Sequence, residues 1–192
     1  MWRSLCAAPR YALMLAADAL VDVTGQTVTV FLSQLAYVRC GLSGAQLGAA
    51  YLGMTLVGLM QGASYKATRA LGRRGFGLAA CALMAAACGG LCLARGPLWC
   101  VACVWCVQLC WCLWQPFAQT MHNDSVRLGA RSVVLSGYSM AQSLAMSGLN
   151  LGLGRLADVR LPLAFAAAGA FCMLALVLAA LYFRQNKKGC VS

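Results

Sequence analysis

Six apolar stretches, at about 11–38, 45–64, 75–94, 98–120, 132–153 and 161–183, fill almost the whole chain and leave only short polar gaps. Each is about twenty residues or longer, the length at which an α-helix crosses the roughly 30 Å hydrocarbon core of a bilayer. Lipid offers no hydrogen bonds, so the backbone groups of such a run must be satisfied within the segment, and a helix does this. Composition agrees: 62% of the 192 residues are hydrophobic and only 10% are charged, well below the charged share of a soluble domain, about 25%. The chain is expected to be an all-α integral membrane protein, a single domain over residues 1–192 with six transmembrane helices.

The formal net charge of +11 does not point to nucleic acid. Lys and Arg crowd the gaps between apolar runs and are not interleaved with the aromatic residues that a single-strand binder stacks on bases. The densest gap is Gly62 to Arg74, GASYKATRALGRR, a basic hinge with Lys66, Arg69, Arg73 and Arg74. Clustered positive charge beside a span marks the cytoplasmic side. With both termini cytoplasmic, the inner side collects Arg3, Arg10, the hinge, Arg127, Arg131, Arg184, Lys187 and Lys188, against Arg39, Arg95, Arg155 and Arg160 outside. The amino-terminal MWRSLCAAPR is like the charged start of a signal peptide. The run after it holds Asp18 and Asp22 and no small-residue cleavage site, so no removal is expected.

The 12 cysteines mostly lie inside apolar runs, where Cys acts as a small hydrophobe, and imply no disulfide framework. Cys100, Cys103, Cys106 and Cys110 have the spacing of an iron–sulfur ligand run. Trp111 stands where that run has Pro, and a straight helix would string the thiols along one broad face, which favours packing. No metal or other cofactor is expected.

Polar residues inside the runs are ordered. In the first, Asp18, Asp22, Gln26, Thr29 and Ser33 recur at steps of four, four, three and four, one side of a helix. At about 1.5 Å per residue Asp22 falls near mid-membrane. An ionised carboxylate there costs roughly 2.5–3.5 kcal/mol, so both acids should face water or a partner helix. The fourth run carries Gln108, Gln115 and Gln119 on one side and Pro116, expected to kink it. His122 falls in the gap after it, Met121 to Arg131, and reads as a solvated loop residue. The second run has Gly48, Gly53, Gly58 and Gly62, and the fifth has Ser136, Ser139, Ser143, Ser147 and Asn150; both suit close helix packing. The third and sixth are wholly apolar.

Polarity thus repeats every three runs, suggesting two inverted three-helix repeats: the first and fourth helices facing a cavity, the second and fifth packing, the third and sixth facing lipid. Leu71-Gly72-Arg73-Arg74 is similar to the end of the cytoplasmic loop motif of the major facilitator superfamily, with Tyr65, Arg69 and Ala70 where the full motif has a Gly, an acidic and a basic residue. Arg131-Ser132 leading into VVLSGYSMAQSLAMSG, then Gly154-Arg155-Leu156-Ala157-Asp158, resembles that family's eleventh helix and its exit. Nearly the whole chain resembles the carboxy-terminal six-helix half of such a transporter.

The resemblance implies a secondary active transporter that alternates between inward-open and outward-open states, binding a small solute between two halves. A half-length chain would pair with itself or with a separate first-half subunit, or would be a truncated product. Asp18 and Asp22 are the candidate proton or cationic-substrate site, with Gln26, Gln108 and Gln115 as solute-path hydrogen-bonding groups. Lys66, Arg69, Gly72, Arg73 and Arg74 form the candidate cytoplasmic loop motif. The expected setting is a bacterial inner membrane, with the lipid bilayer as a partner. A non-transporting packing or assembly subunit is the second reading. An enzyme is not expected: there is no Glu, a single His, and no catalytic or metal-ligand set at useful spacing.

Overall fold

The structure is a computed structural model that describes the backbone of residues 9–125 and 131–188 and the side chains of residues 12–124, 137, 139–140 and 142–185. Readings that rest on the amino-terminal tail or on the side chains of Arg127, Arg131, Ser136, Lys187 and Lys188 lie outside the described residues. Among the described residues there is no strand. The order is α1 (Pro9–Gln26), a π-helical turn (Thr27–Leu32), α2 (Ser33–Arg39), α3 (Gly44–Gly58), a 3-10 turn (Leu59–Ala63), α4 (Ser64–Leu93), α5 (Pro97–Ser125), α6 (Arg131–Val159) and α7 (Leu161–Lys188).

Among the described residues, four helical runs are long and apolar enough to cross a membrane: Ala12–Arg39, Gly44–Leu93, Pro97–Asp124 and Leu161–Gln185. The second covers 50 residues, roughly 75 Å as one straight helix and over twice the width of a bilayer core. It is not straight. Gly72 sits at φ 71° and ψ 155°, outside helical geometry and in the positive-φ region that a Cβ disfavours. Side-chain neighbours show the reversal: Gly53 abuts Trp105 and Ser64 bonds the carbonyl of Leu113, whereas Gly77 abuts Phe117 and Gly90 abuts Cys103. The chain therefore descends α5 before Gly72 and climbs back after it. The basic hinge expected as a loop is mostly helix, with Lys66 and Arg69 on α4 and the break confined to Gly72.

α6 matches α5 in length, 29 residues each, but interrupts its apolar character with Ser139, Gln142, Ser143, Ser147 and Asn150. It pairs Gln142 with Asp22 and Asn150 with Thr27, so it runs alongside α1 in the same direction. α1 opposes α5, pairing Asp18 with His122 and Asp22 with Trp111. α3 and the first arm of α4 share one direction, and the second arm of α4 reverses it.

The core lies between α1, α5, α7 and the second arm of α4. On α4 the buried residues Gly77, Cys81, Met84, Cys88 and Leu91 recur at steps of four and three, and on α7 Phe165, Ala168, Cys172, Ala175 and Ala179 do the same. Small side chains at that spacing let two helices approach closely. Cys92 reaches the carbonyl of Pro162 and Gly169 abuts Cys88, which sets the two antiparallel. The third and sixth apolar runs, expected simply to face lipid, each bury one such seam and leave Leu83, Leu93, Met173 and Val177 exposed on the other side.

The second and fifth runs, expected to pack, also border open space. α3 begins with a capping box, Ser43 Oγ accepting from the Gln46 N–H and the Gln46 side chain accepting from Ser43 N–H. Pro116 lies inside an unbroken helical run.

Candidate functional site

The polar stripe of α1 divides at the π-helical turn. Within and just past it, Thr29 Oγ1 returns to the carbonyl of Gly25 at 2.7 Å and Ser33 Oγ to that of Thr29 at 2.7 Å. Ser33 also meets the Tyr51 hydroxyl of α3 at 3.0 Å, and both Thr29 and Ser33 are buried. Their hydroxyls satisfy carbonyls that a wide turn leaves poorly bonded, a local structural use. Above it, Asp18, Asp22 and Gln26 face α5 and α6.

Asp22 is half-buried at the edge of a cavity of about 780 Å³. One carboxylate oxygen accepts the indole N–H of Trp111 at 2.8 Å and an amide N–H of Gln115; the other accepts an amide N–H of Gln142 at 3.1 Å. All these donors are neutral, so hydrogen bonds hold the carboxylate without cancelling its charge. Gln26, Gln108 and Gln115 line the same cavity, with Gly58 and Gln61 from the α3 side and Ser143, Ser147 and Asn150 from α6. The cavity is thus walled by the first, second, fourth and fifth apolar runs. Among the described residues, none from the second arm of α4 or from α7 lines it.

Asp18, one turn away, has a different setting. It is 7% exposed and lies against Trp114 and His122, which are 0% and 6% exposed. Trp114 N–H donates to one of its oxygens at 2.8 Å, and His122 Nε2 lies 2.9 Å from the other. A smaller cavity of about 330 Å³ opens here, bordered by Asp18, His122, Asn123, Ser139 and Gln142. Asp22 and Gln115 border both cavities and form the wall they share. Neither cavity is lined by Lys or Arg among the described residues.

His122 corrects the sequence reading. α5 runs on to Ser125, which places His122 on the helix and not in a loop. The signal was available: Gln108, Gln115, Gln119 and His122 continue one helical spacing, and Trp111 belongs to the same face. Gln142 was also missed, because the Ser-rich pattern of α6 drew attention to packing.

The loop-motif residues do not join this site. Lys66, Arg69 and Arg74 are exposed, Gly72 is the helix break, and Arg73 bridges Asp124 of α5 at 2.9 Å. Cys100, Cys103 and Cys110 are buried in the α5 packing and Cys106 is half-buried; no group of metal-ligating side chains is assembled among the described residues.

Comparison with protein-family models, curated proteins and solved structures found no match to this chain.

Proposed function

We propose that the chain is half of a secondary active transporter, of the major facilitator type, that carries a small solute past the cavity edged by Asp22. The carrying observation is that cavity: about 780 Å³ lined by a carboxylate, amides and hydroxyls, in a chain with four helical runs, among the described residues, apolar and long enough to cross a membrane. Burying such groups costs free energy that packing alone does not require, and intramembrane ionisable residues on a shared polar wall mark solute or ion pathways. Gln26, Gln108 and Gln115 supply hydrogen bonds to the solute, and Asp22 supplies charge for a cationic group.

Six alternating spans with both termini cytoplasmic accommodate the arms, the chain reversing at Gly72 on the cytoplasmic face. Lys66, Arg69, Arg73 and Arg74 then lie on that face, in a bacterial inner membrane. A homodimer or a separate first half closes the open side. The role is transport and not catalysis.

A packing or assembly subunit is the second reading, favoured by the exposed Ser143 and Ser147 on α6, a face suited to a partner helix. Thiol labelling separates the two. With Gln26→Cys and Gln108→Cys in membranes, a water-soluble, membrane-impermeant maleimide is expected to label both well above the unsubstituted chain and above Met173→Cys on the exposed side of α7. Equal, background labelling at all three positions would overturn the transport reading.

A further inference from the structure

The corner at which α4 breaks, Gly72, holds a further cavity of about 140 Å³ between α4 and the end of α5. α4 brings Tyr65, Thr68 and Arg73 to it, and α5 brings Pro116, Phe117 and Met121. Among the described residues it shares no wall with the cavities at Asp22 and Asp18. We infer that this cavity binds the phosphate group of an anionic phospholipid. The site needs a bilayer and no solute, so it stands apart from the transport reading.

Position along the helix carries the first half of the argument. Pro116 to Met121 fall in the last turns of Pro97–Asp124, a run long and apolar enough to cross a membrane. The cavity therefore sits where the apolar band ends and lipid headgroups begin. Tyr65 at its rim is 74% exposed, and Tyr gathers at that depth because its ring is apolar and its hydroxyl is wet. The base of the cavity is apolar, with Phe117 buried, and suits the glycerol carbons of a lipid. At about 30 Å³ per water the space equals four or five waters, room for one phosphate group.

Donors and charge carry the second half. Ser64 Oγ donates to the Leu113 carbonyl at 2.6 Å and Thr120 Oγ1 to the Pro116 carbonyl at 2.8 Å, so both protons are committed to α5. A ligand instead meets the hydroxyls of Tyr65 and Thr68 and the guanidinium of Arg73. One nitrogen of Arg73 bridges Asp124 at 2.9 Å. A guanidinium carries five N–H donors in a planar fork, so the bridge fixes its direction and leaves donors for phosphate oxygens. Lys66, Arg69 and Arg74 are exposed, and each follows a residue of the cavity wall in sequence. With Arg73 they set four positive charges against the carboxylate of Asp124, and such a cluster beside a span attracts anionic headgroups.

Native mass spectrometry tests the site. The whole chain, freed of its own lipid in detergent, is titrated with phosphatidylglycerol and, separately, with phosphatidylcholine, and the lipids that stay bound are counted. One phosphatidylglycerol is expected to bind more tightly than any phosphatidylcholine. Arg73→Gln should weaken it about fivefold, whereas Arg160→Gln, the same loss of charge at an exposed arginine elsewhere, should leave it unchanged. Thr68→Val keeps every charge and should weaken it about threefold, which preserves the test if Arg73→Gln fails to fold. Inorganic phosphate at millimolar concentration should leave the lipid in place. Equal binding of the two lipids, or equal losses in Arg73→Gln and Arg160→Gln, would overturn the site. Displacement of the lipid by inorganic phosphate would assign the cavity to a free anion and overturn the lipid as its ligand.

Discussion

Gly25 has no room for a side chain: a Cβ built there lies 2.3 Å from the Trp111 ring. The absence of a Cβ lets the indole close over α1 and present its N–H to Asp22. Gly53 stands in the same relation to Trp105, at 2.1 Å, and the Trp105 N–H reaches the carbonyl of Ala50 at 3.0 Å. Gly25→Ala is expected to displace the Trp111 ring, destabilise the protein by about 1–3 kcal/mol and change the tryptophan fluorescence. Gly48→Ala, with nothing within 4 Å of the added atom, should leave the melting temperature in detergent unchanged or slightly raised. Equal melting temperatures for the two variants would contradict the close approach of Trp111. Neither glycine's partner was legible in the sequence, because spacing identifies a small residue on a helix but not the ring that crosses it.

At the scale of elements, the break at Gly72 outweighs the ion pair beside it. Arg73 and Asp124 are 58% and 51% exposed, so their bridge is expected to contribute less than about 1 kcal/mol. A Cβ at the backbone angles of Gly72 strains the chain by about 1–3 kcal/mol. Thermal unfolding in detergent should therefore show Gly72→Ala lowering the melting temperature clearly more than Arg73→Ala; the reverse order would shift the weight of this corner from backbone to charge. Helices were legible because apolar length and the run of polar gaps are local properties. Which faces meet was less so. The stripe of α1 was read as continuous from Asp18 to Ser33, but the π-helical turn divides it, and periodicity counted at 3.6 residues per turn cannot register a wider turn. The α5 stripe was cut at Thr120 because the apolar run ends there, so His122 was assigned to a loop although the helix continues through it.

For the whole molecule, the consequential feature is that polar groups line a cavity whose walls come from α1, α3, α5 and α6, with the seam of α4 and α7 behind. The candidate residues Asp22, Gln26, Gln108 and Gln115 were all named from spacing alone, because an amide or carboxylate in an apolar run stands out. Asp18 was named with them, but its burial against Trp114 and His122 depends on a neighbouring helix and was hidden. The proposal that the cavity is one wall of a transport path requires an opposing wall, since an open polar face left to lipid would carry unmatched charge at Asp22. The most direct measurement is the mass of the particle extracted from its own membrane into nanodiscs. The account predicts a two-half assembly, either two copies of the 20.2 kDa chain or one copy with a second membrane subunit. A lone 20.2 kDa chain would contradict it, leaving the cavity without a partner surface and the chain without a closed path.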